Sequence, residues 1–106
     1  MRNEELIKTL YECAAHCNHC ADACLDEKDI KMMVSCIRLD RICAATCTAT
    51  AEALAVNSQD VSALVSYCRE ICEKCGAECA QHQPEHCQKC ADACKRCAEA
   101  CSAYAA

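Results

Sequence analysis

Cysteine recurs along this chain at steps of three and four residues, or once at their sum of seven, in four separate stretches. The first holds Cys13, Cys17, Cys20 and Cys24, and the second holds Cys36, Cys43 and Cys47. The third, Cys68, Cys72, Cys75 and Cys79, repeats the spacing of the first, and the fourth runs through Cys87, Cys90, Cys94, Cys97 and Cys101. Steps of three and four keep side chains on one stripe of an α-helix, the a and d positions of a heptad, whereas a strand changes face at every residue. The spacing therefore predicts four helices, each turning cysteine toward a shared interior.

The residues between the cysteines fit that reading. Ala, Glu, Lys, Gln and Arg fill the outer positions and are good helix formers, and the chain has one Gly and one Pro. Helix 1 is expected over about 3–26 with Asn3 as its N-cap, and helix 2 over about 29–56. Asn57 and Ser58 make a turn, Ser58 caps helix 3 over about 58–82, and Asp60 suits that helix's first turn. Pro84 suits the first position of helix 4, over about 84–104. Connections this short favour an all-α, up-down-up-down antiparallel four-helix bundle, and 106 residues allow one domain, 1–106. The run CxxCADAC occurs at Cys17–Cys24 and again at Cys87–Cys94, an internal echo that supports the fold.

Extending each stripe beyond its cysteines separates two ends. Leu6, Leu10, Leu54, Val61, Val65 and Tyr104 gather at one end as an aliphatic plug. Cys24, Met33, Cys36, Cys79, His82, His86 and Cys87 gather at the other, which is where metal is expected to enter. Stacking the helices as flat layers groups Cys13, Cys47, Cys68 and Cys101, and then Cys17, Cys43, Cys72 and Cys97. Next come Cys20, Cys75 and Cys94 with Asp40, and then Cys24, Cys36, Cys79 and Cys90, with Cys87 near the mouth.

Sixteen interior cysteines need a chemical reason. Buried cysteine can act as a small hydrophobe, but Leu or Ile would bury more apolar area without the hazard of oxidation. Thiolates select Cu(I), Zn(II) or iron–sulfur clusters. A zinc ion with four thiolates carries two net negative charges, and several such sites along one core would be costly to bury. Cu(I) accepts few ligands, and with bridging thiolates its charge cancels theirs, for a capacity of roughly one ion per cysteine. Cysteines at i and i+4, such as Cys13 and Cys17, can clamp one ion from a single helix. The expected function is storage of many Cu(I) ions; a zinc or mixed-metal thiolate store and an iron–sulfur or thiol redox protein are the alternatives.

Four further residues are candidate ligands. His82 and His86 flank the last turn, with His82 the stronger candidate of the two. Met33 is a thioether on the stripe, where core packing is an equal alternative, while Met32 points aside. Asp40 is a carboxylate at an interior slot, able to hydrogen-bond a neighbour, accept a thiol proton or bind an ion through oxygen. His16 and His19 fall off the stripe and read as surface residues.

Formal net charge is −5 with both signs scattered, which reads as solvated helix faces and argues against nucleic acid as a partner. Residues 1–8 lack the apolar stretch of a secretory signal and no run is long enough to span a membrane, so the expected setting is the cytoplasm, with reduced thiols. No nucleophile triad, phosphate loop or cofactor motif points to an enzyme.

Taken together, the CxxxCxxCxxxC runs at Cys13–Cys24 and Cys68–Cys79 and the CxxCADAC run at Cys87–Cys94 resemble the copper storage proteins, specifically their cytosolic branch. The resemblance covers essentially the whole chain. It implies a homotetramer, Cu(I) inside each subunit's core, and access through one open end bearing His and Met. A copper chaperone or efflux protein is the kind of partner it brings. The chain departs from that pattern in helix 2, where Asp40 stands in place of a fourth cysteine.

Overall fold

The computed structural model describes residues 1–104 and consists of four long helices: α1 (Glu4–Cys24), α2 (Val34–Ala55), α3 (Val61–Ala80) and α4 (Glu85–Ser102). A short 3₁₀ turn, Ile30–Met33, leads into α2. No strand occurs among the described residues. Consecutive helices pack side by side and α4 closes against α1, giving a rod of 44 × 19 × 18 Å. The pairings are antiparallel at every seam: Cys36 meets Cys79 while Cys47 meets Cys68, and Cys20 meets Cys87 while Cys13 meets Cys94.

Helix ends differ from the sequence expectation in instructive ways. Asn3 stands at the start of α1 but in the left-handed region (φ 56°), with no side-chain cap; its carbonyl accepts the first helical bond, from the Ile7 N–H. Helix 2 begins five residues later than expected, because 25–29 form turns and 30–33 a tighter coil before Val34. Ser58 belongs to the end of α2 rather than to the start of α3. With Asn57 left-handed at φ 56°, the Ser58 N–H bonds the Ala53 carbonyl and the Asn57 N–H bonds that of Leu54, a Schellman closure. Asp60 then precedes α3 without capping it through its side chain. Pro84 is extended (φ −52°, ψ 143°) just before α4, one position earlier than expected.

The interior is sulfur over most of its length. All sixteen cysteines are buried, and fourteen have no solvent exposure at all. Small residues flank the stripe, with Ala14, Ala21, Ala44, Ala51, Ala93 and Ala98 buried at the helix contacts. Gly76 allows the closest approach: a Cβ there would lie 3.2 Å from the Cβ of Cys94. At the aliphatic end Leu6, Leu10, Leu54, Val61 and Val65 are buried, with Tyr104 packed partly against them. That end contributes ordinary hydrophobic burial, which the thiols supply only weakly.

Candidate metal centre

Each helix delivers its cysteines to the axis for the reason read from the sequence: a step of 3.5 residues keeps them on one face. How they meet is different from flat layers. Side chains lean toward the N-terminus of their own helix, so on antiparallel neighbours they lean in opposite directions and interleave. Cys47 sits between Cys68 and Cys72, at 3.7 and 3.8 Å, and Cys17 sits between Cys90 and Cys94, at 3.7 Å from each. The expected layers hold between α1 and α2, between α2 and α3, and between α3 and α4. At the seam of α4 with α1 they close one to two cysteine steps out of register, as a spiral rather than as rings. Cys17 was expected opposite Cys97 and Cys20 opposite Cys94; they face Cys90 with Cys94, and Cys87, respectively.

The α3–α4 connection fixes the start of α4 against α3. The Gln88 side-chain amide donates to the carbonyls of His82 (2.6 Å) and Ala80 (3.2 Å), tying the first turn of α4 beside the end of α3. Cys87 is thereby drawn into the core at 3.9 Å from Cys20 instead of standing at the rim.

Several groups place four donor atoms within 4.8 Å of one another: Cys13, Cys47, Cys72 and Cys97; Cys13, Cys17, Cys43 and Cys94; and Cys17, Cys75, Cys90 and Cys94. Two groups recruit a residue other than cysteine. Asp40 joins Cys20, Cys79 and Cys90, and His86 joins Cys20, Cys24 and Cys87. Sulfur contacts of 3.4–4.0 Å are wide for covalent bonding but suit a shared metal. With metal–sulfur bonds of about 2.3 Å, separations of 3.8–4.0 Å correspond to angles of about 110–120° at the ion. The groups overlap, so most central thiols can bridge two ions.

Asp40 is fully buried and surrounded by thiols that donate to it: Cys75 at 3.2 Å, Cys90 at 3.3 Å and Cys79 at 3.4 Å to Oδ1, and Cys36 at 3.7 Å to Oδ2. Burial pushes its carboxyl up to about 8, against the opposing hydrogen bond from Cys75. Burial likewise raises the thiol of Cys24, and it pushes Cys87 up to about 11. Cys24 and Cys87 therefore hold their protons at neutral pH until a metal displaces them.

The two mouth histidines differ in their partners. The His86 Nδ1 lies 3.3 Å from the sulfur of Cys20 and 3.6 Å from that of Cys87. His82 turns its Nε2 to Glu78, 2.7 Å away on its own helix. Met33 is buried at the start of α2 and Met32 is exposed, as the stripe implied. His19 is exposed and His16 half-buried on the outside of α1. The pairing of His86 with Glu27, at 3.0 Å, joins residues 59 apart in sequence and carried no periodic signal that could have found it.

The model of the copper storage protein family matches residues 1–106. The chain belongs to the copper storage protein family. Among solved structures, a Cu(I)-bound copper storage protein, BsCsp3, superposes with a TM-score of 0.95 at 40% identity, over 100% of both chains. A cytosolic copper storage protein from Streptomyces lividans, carrying five coppers, has a TM-score of 0.86 at 41% identity, over 92% of this chain and 86% of that one. A cysteine-rich protein of Bacillus subtilis (strain 168), YhjQ, described as uncharacterized, is 41% identical over 89 residues, 84% of this chain and 82% of the relative.

Proposed function

We propose that this chain stores Cu(I) as cargo along its sulfur core, using all sixteen cysteines as ligands, with His86 and Asp40 completing the two groups they join. The observation that carries this reading is the overlap of four-donor groups along a core of buried, free thiols. An isolated site would bind one ion; overlapping groups let bridging thiolates neutralise a row of monovalent ions. The relatives described as Cu(I)-bound and as carrying five coppers support it.

Copper enters at the end that carries His86, Cys24, Cys87 and Met33, because the opposite end is closed by Leu6, Leu10, Leu54 and Val61. His82 stands beside that mouth and takes part in ion transfer rather than in holding the stored cargo. Residues 1–106 act as one storage domain, and storage by coordination involves no turnover. The protein works in the cytosol as a homotetramer, in line with the cytosolic Streptomyces lividans relative for location and with the family resemblance for assembly. No described helix is long and apolar enough to cross a membrane. A chaperone or efflux protein supplies or removes the copper.

The test is an anaerobic titration of the fully reduced apoprotein with Cu(I) against a strong chelator, followed by circular dichroism. Uptake of more than about ten ions per chain with unchanged helicity is expected, since the bundle holds its thiols in place before metal arrives. Saturation at one or two ions, or a preference for Zn(II) at equal supply, would sink the storage reading.

A further inference from the structure

We propose that Glu27 is a positioning residue for copper uptake: it holds the His86 imidazole so that Nδ1 presents its lone pair to the thiols of Cys20 and Cys87. The inference rests on the reading of His86 as a copper ligand and adds a residue that stands outside every four-donor group named above.

The geometry is a three-part line across the mouth. Glu27 lies in the segment between α1 and the 3₁₀ turn, and His86 lies in the first turn of α4. Glu27 Oε2 is 3.0 Å from His86 Nε2, while Nδ1 of the same ring is 3.3 Å from Cys20 Sγ. A carboxylate only accepts hydrogen bonds, so Nε2 must carry the proton. In the neutral ring Nδ1 is then the free donor atom, and it faces sulfur. The imidazole is 14% exposed and the carboxylate 36%, so the ring is the sheltered partner of the pair.

A carboxylate behind a metal-binding imidazole fixes the tautomer, fixes the ring's rotation and raises the basicity of the ligating nitrogen. All three effects matter most at the first ion, before a filled cluster holds the ring by itself. The second mouth pair offers a contrast on the same page. His82 also meets a carboxylate, but Glu78 is one turn back on the same helix, an i,i+4 contact of the kind that steadies a helix. Glu27 reaches instead from a different element, so its pairing with His86 spans the opening.

A plain tether is the competing account: Glu27 might be imagined only to fasten the α1–α2 connection to α4. The two accounts separate in a double-mutant cycle. Glu27→Ala, Glu27→Gln, His86→Ala and the Glu27→Ala/His86→Ala pair are prepared as full-length apoprotein, with circular dichroism checking the fold. Imidazole proton and nitrogen NMR reads the His86 tautomer without copper, and competition with a chromophoric chelator reads affinity for the first Cu(I) equivalents. The wild type is expected to show a strongly hydrogen-bonded Nε2–H, lost in Glu27→Ala and kept in Glu27→Gln, whose amide oxygen still accepts. First-equivalent affinity should fall by about 10-fold or more in Glu27→Ala and recover in part in Glu27→Gln. In the His86→Ala background, Glu27→Ala should cost nothing further. Unchanged affinity in Glu27→Ala, or a loss that persists without His86, overturns the proposal in favour of a tether or of no role. Wild-type affinity in His86→Ala is a separate result: it removes the ligand reading itself, and the positioning role falls with it even if the Nε2–H signal still depends on Glu27.

Discussion

Asp40 Oδ1 lies 3.2 Å from the sulfur of Cys75, at a position with no solvent exposure. Cys79 and Cys90 donate to the same oxygen, so one carboxyl gathers thiols from α3 and α4 around a residue of α2. Burial raises its pKa from the ordinary 3.8 to about 8. Between those values the folded chain keeps a proton that the unfolded chain has lost, so folding becomes less favourable as pH rises through the window. Below it both states are protonated, and above it both are ionised with the full penalty in place. Reduced apoprotein should therefore lose denaturant resistance from about pH 4 to about pH 8. Asp40→Asn should flatten that part of the profile. Urea midpoints across the range check it, and a profile unchanged by the substitution would mean that Asp40 does not hold its proton in the fold.

Leu10 is fully buried at the end of the bundle away from the mouth. Its truncation leaves a cavity among Leu6, Leu54 and Val65, where no metal compensates. Leu10→Ala is expected to cost the apoprotein about 2–5 kcal/mol in chemical denaturation. Copper capacity should be unchanged, because no thiol is displaced. A drop in capacity at intact fold would mean that the aliphatic plug also shapes the store.

Gly76 faces Cys94 so closely that an added Cβ would sit 3.2 Å from the cysteine Cβ, and that atom cannot swing aside. Alanine would gain about 1 kcal/mol of helix propensity. Forcing α3 and α4 apart along a packed seam costs about 1–3 kcal/mol. The second effect is the larger, so Gly76→Ala should lower stability modestly and Gly76→Val should lower it more. An alanine variant more stable than the wild type would show that the seam has room to give.

Much of this architecture is legible in the sequence because one signal repeats sixteen times. A three-four cysteine period can only be a helical stripe, and four stripes joined by short connections leave few arrangements other than a bundle. The same repetition hides the register of α4 against α1: sliding one helix by a cysteine step exchanges a thiol for a thiol, so the pattern of cysteines is blind to it. The polar contact at that end, the Gln88 amide on the carbonyls of Ala80 and His82, ties α4 to α3 and not to α1. Helix ends were read less well for a related reason. Asn3 and Ser58 look like caps, yet Asn3 is left-handed with no side-chain cap, and the left-handed turn at Asn57 uses Ser58 to close the end of α2. The weighting of His82 over His86 turned on position along a stripe, whereas the structure distinguishes them by partner, Glu78 for one and the thiols of Cys20 and Cys87 for the other.

Cys17 belongs to two of the four-donor groups, one with Cys13, Cys43 and Cys94 and the other with Cys75, Cys90 and Cys94. A thiolate that bridges two ions supports both, and a hydroxyl in its place is a far poorer ligand for a soft metal. Cys17→Ser should therefore lower capacity by roughly two ions rather than one. The fold should hold, since serine is close to cysteine in size and the helix-forming surface is untouched. The measurement is anaerobic Cu(I) titration of the variant beside the wild type, with circular dichroism recorded in the same cells. Loss of a single ion would mean that the overlapping groups are filled independently, with no thiolate shared between them. A helical but wholly copper-free variant would go the other way, making Cys17 the point from which the rest of the core fills.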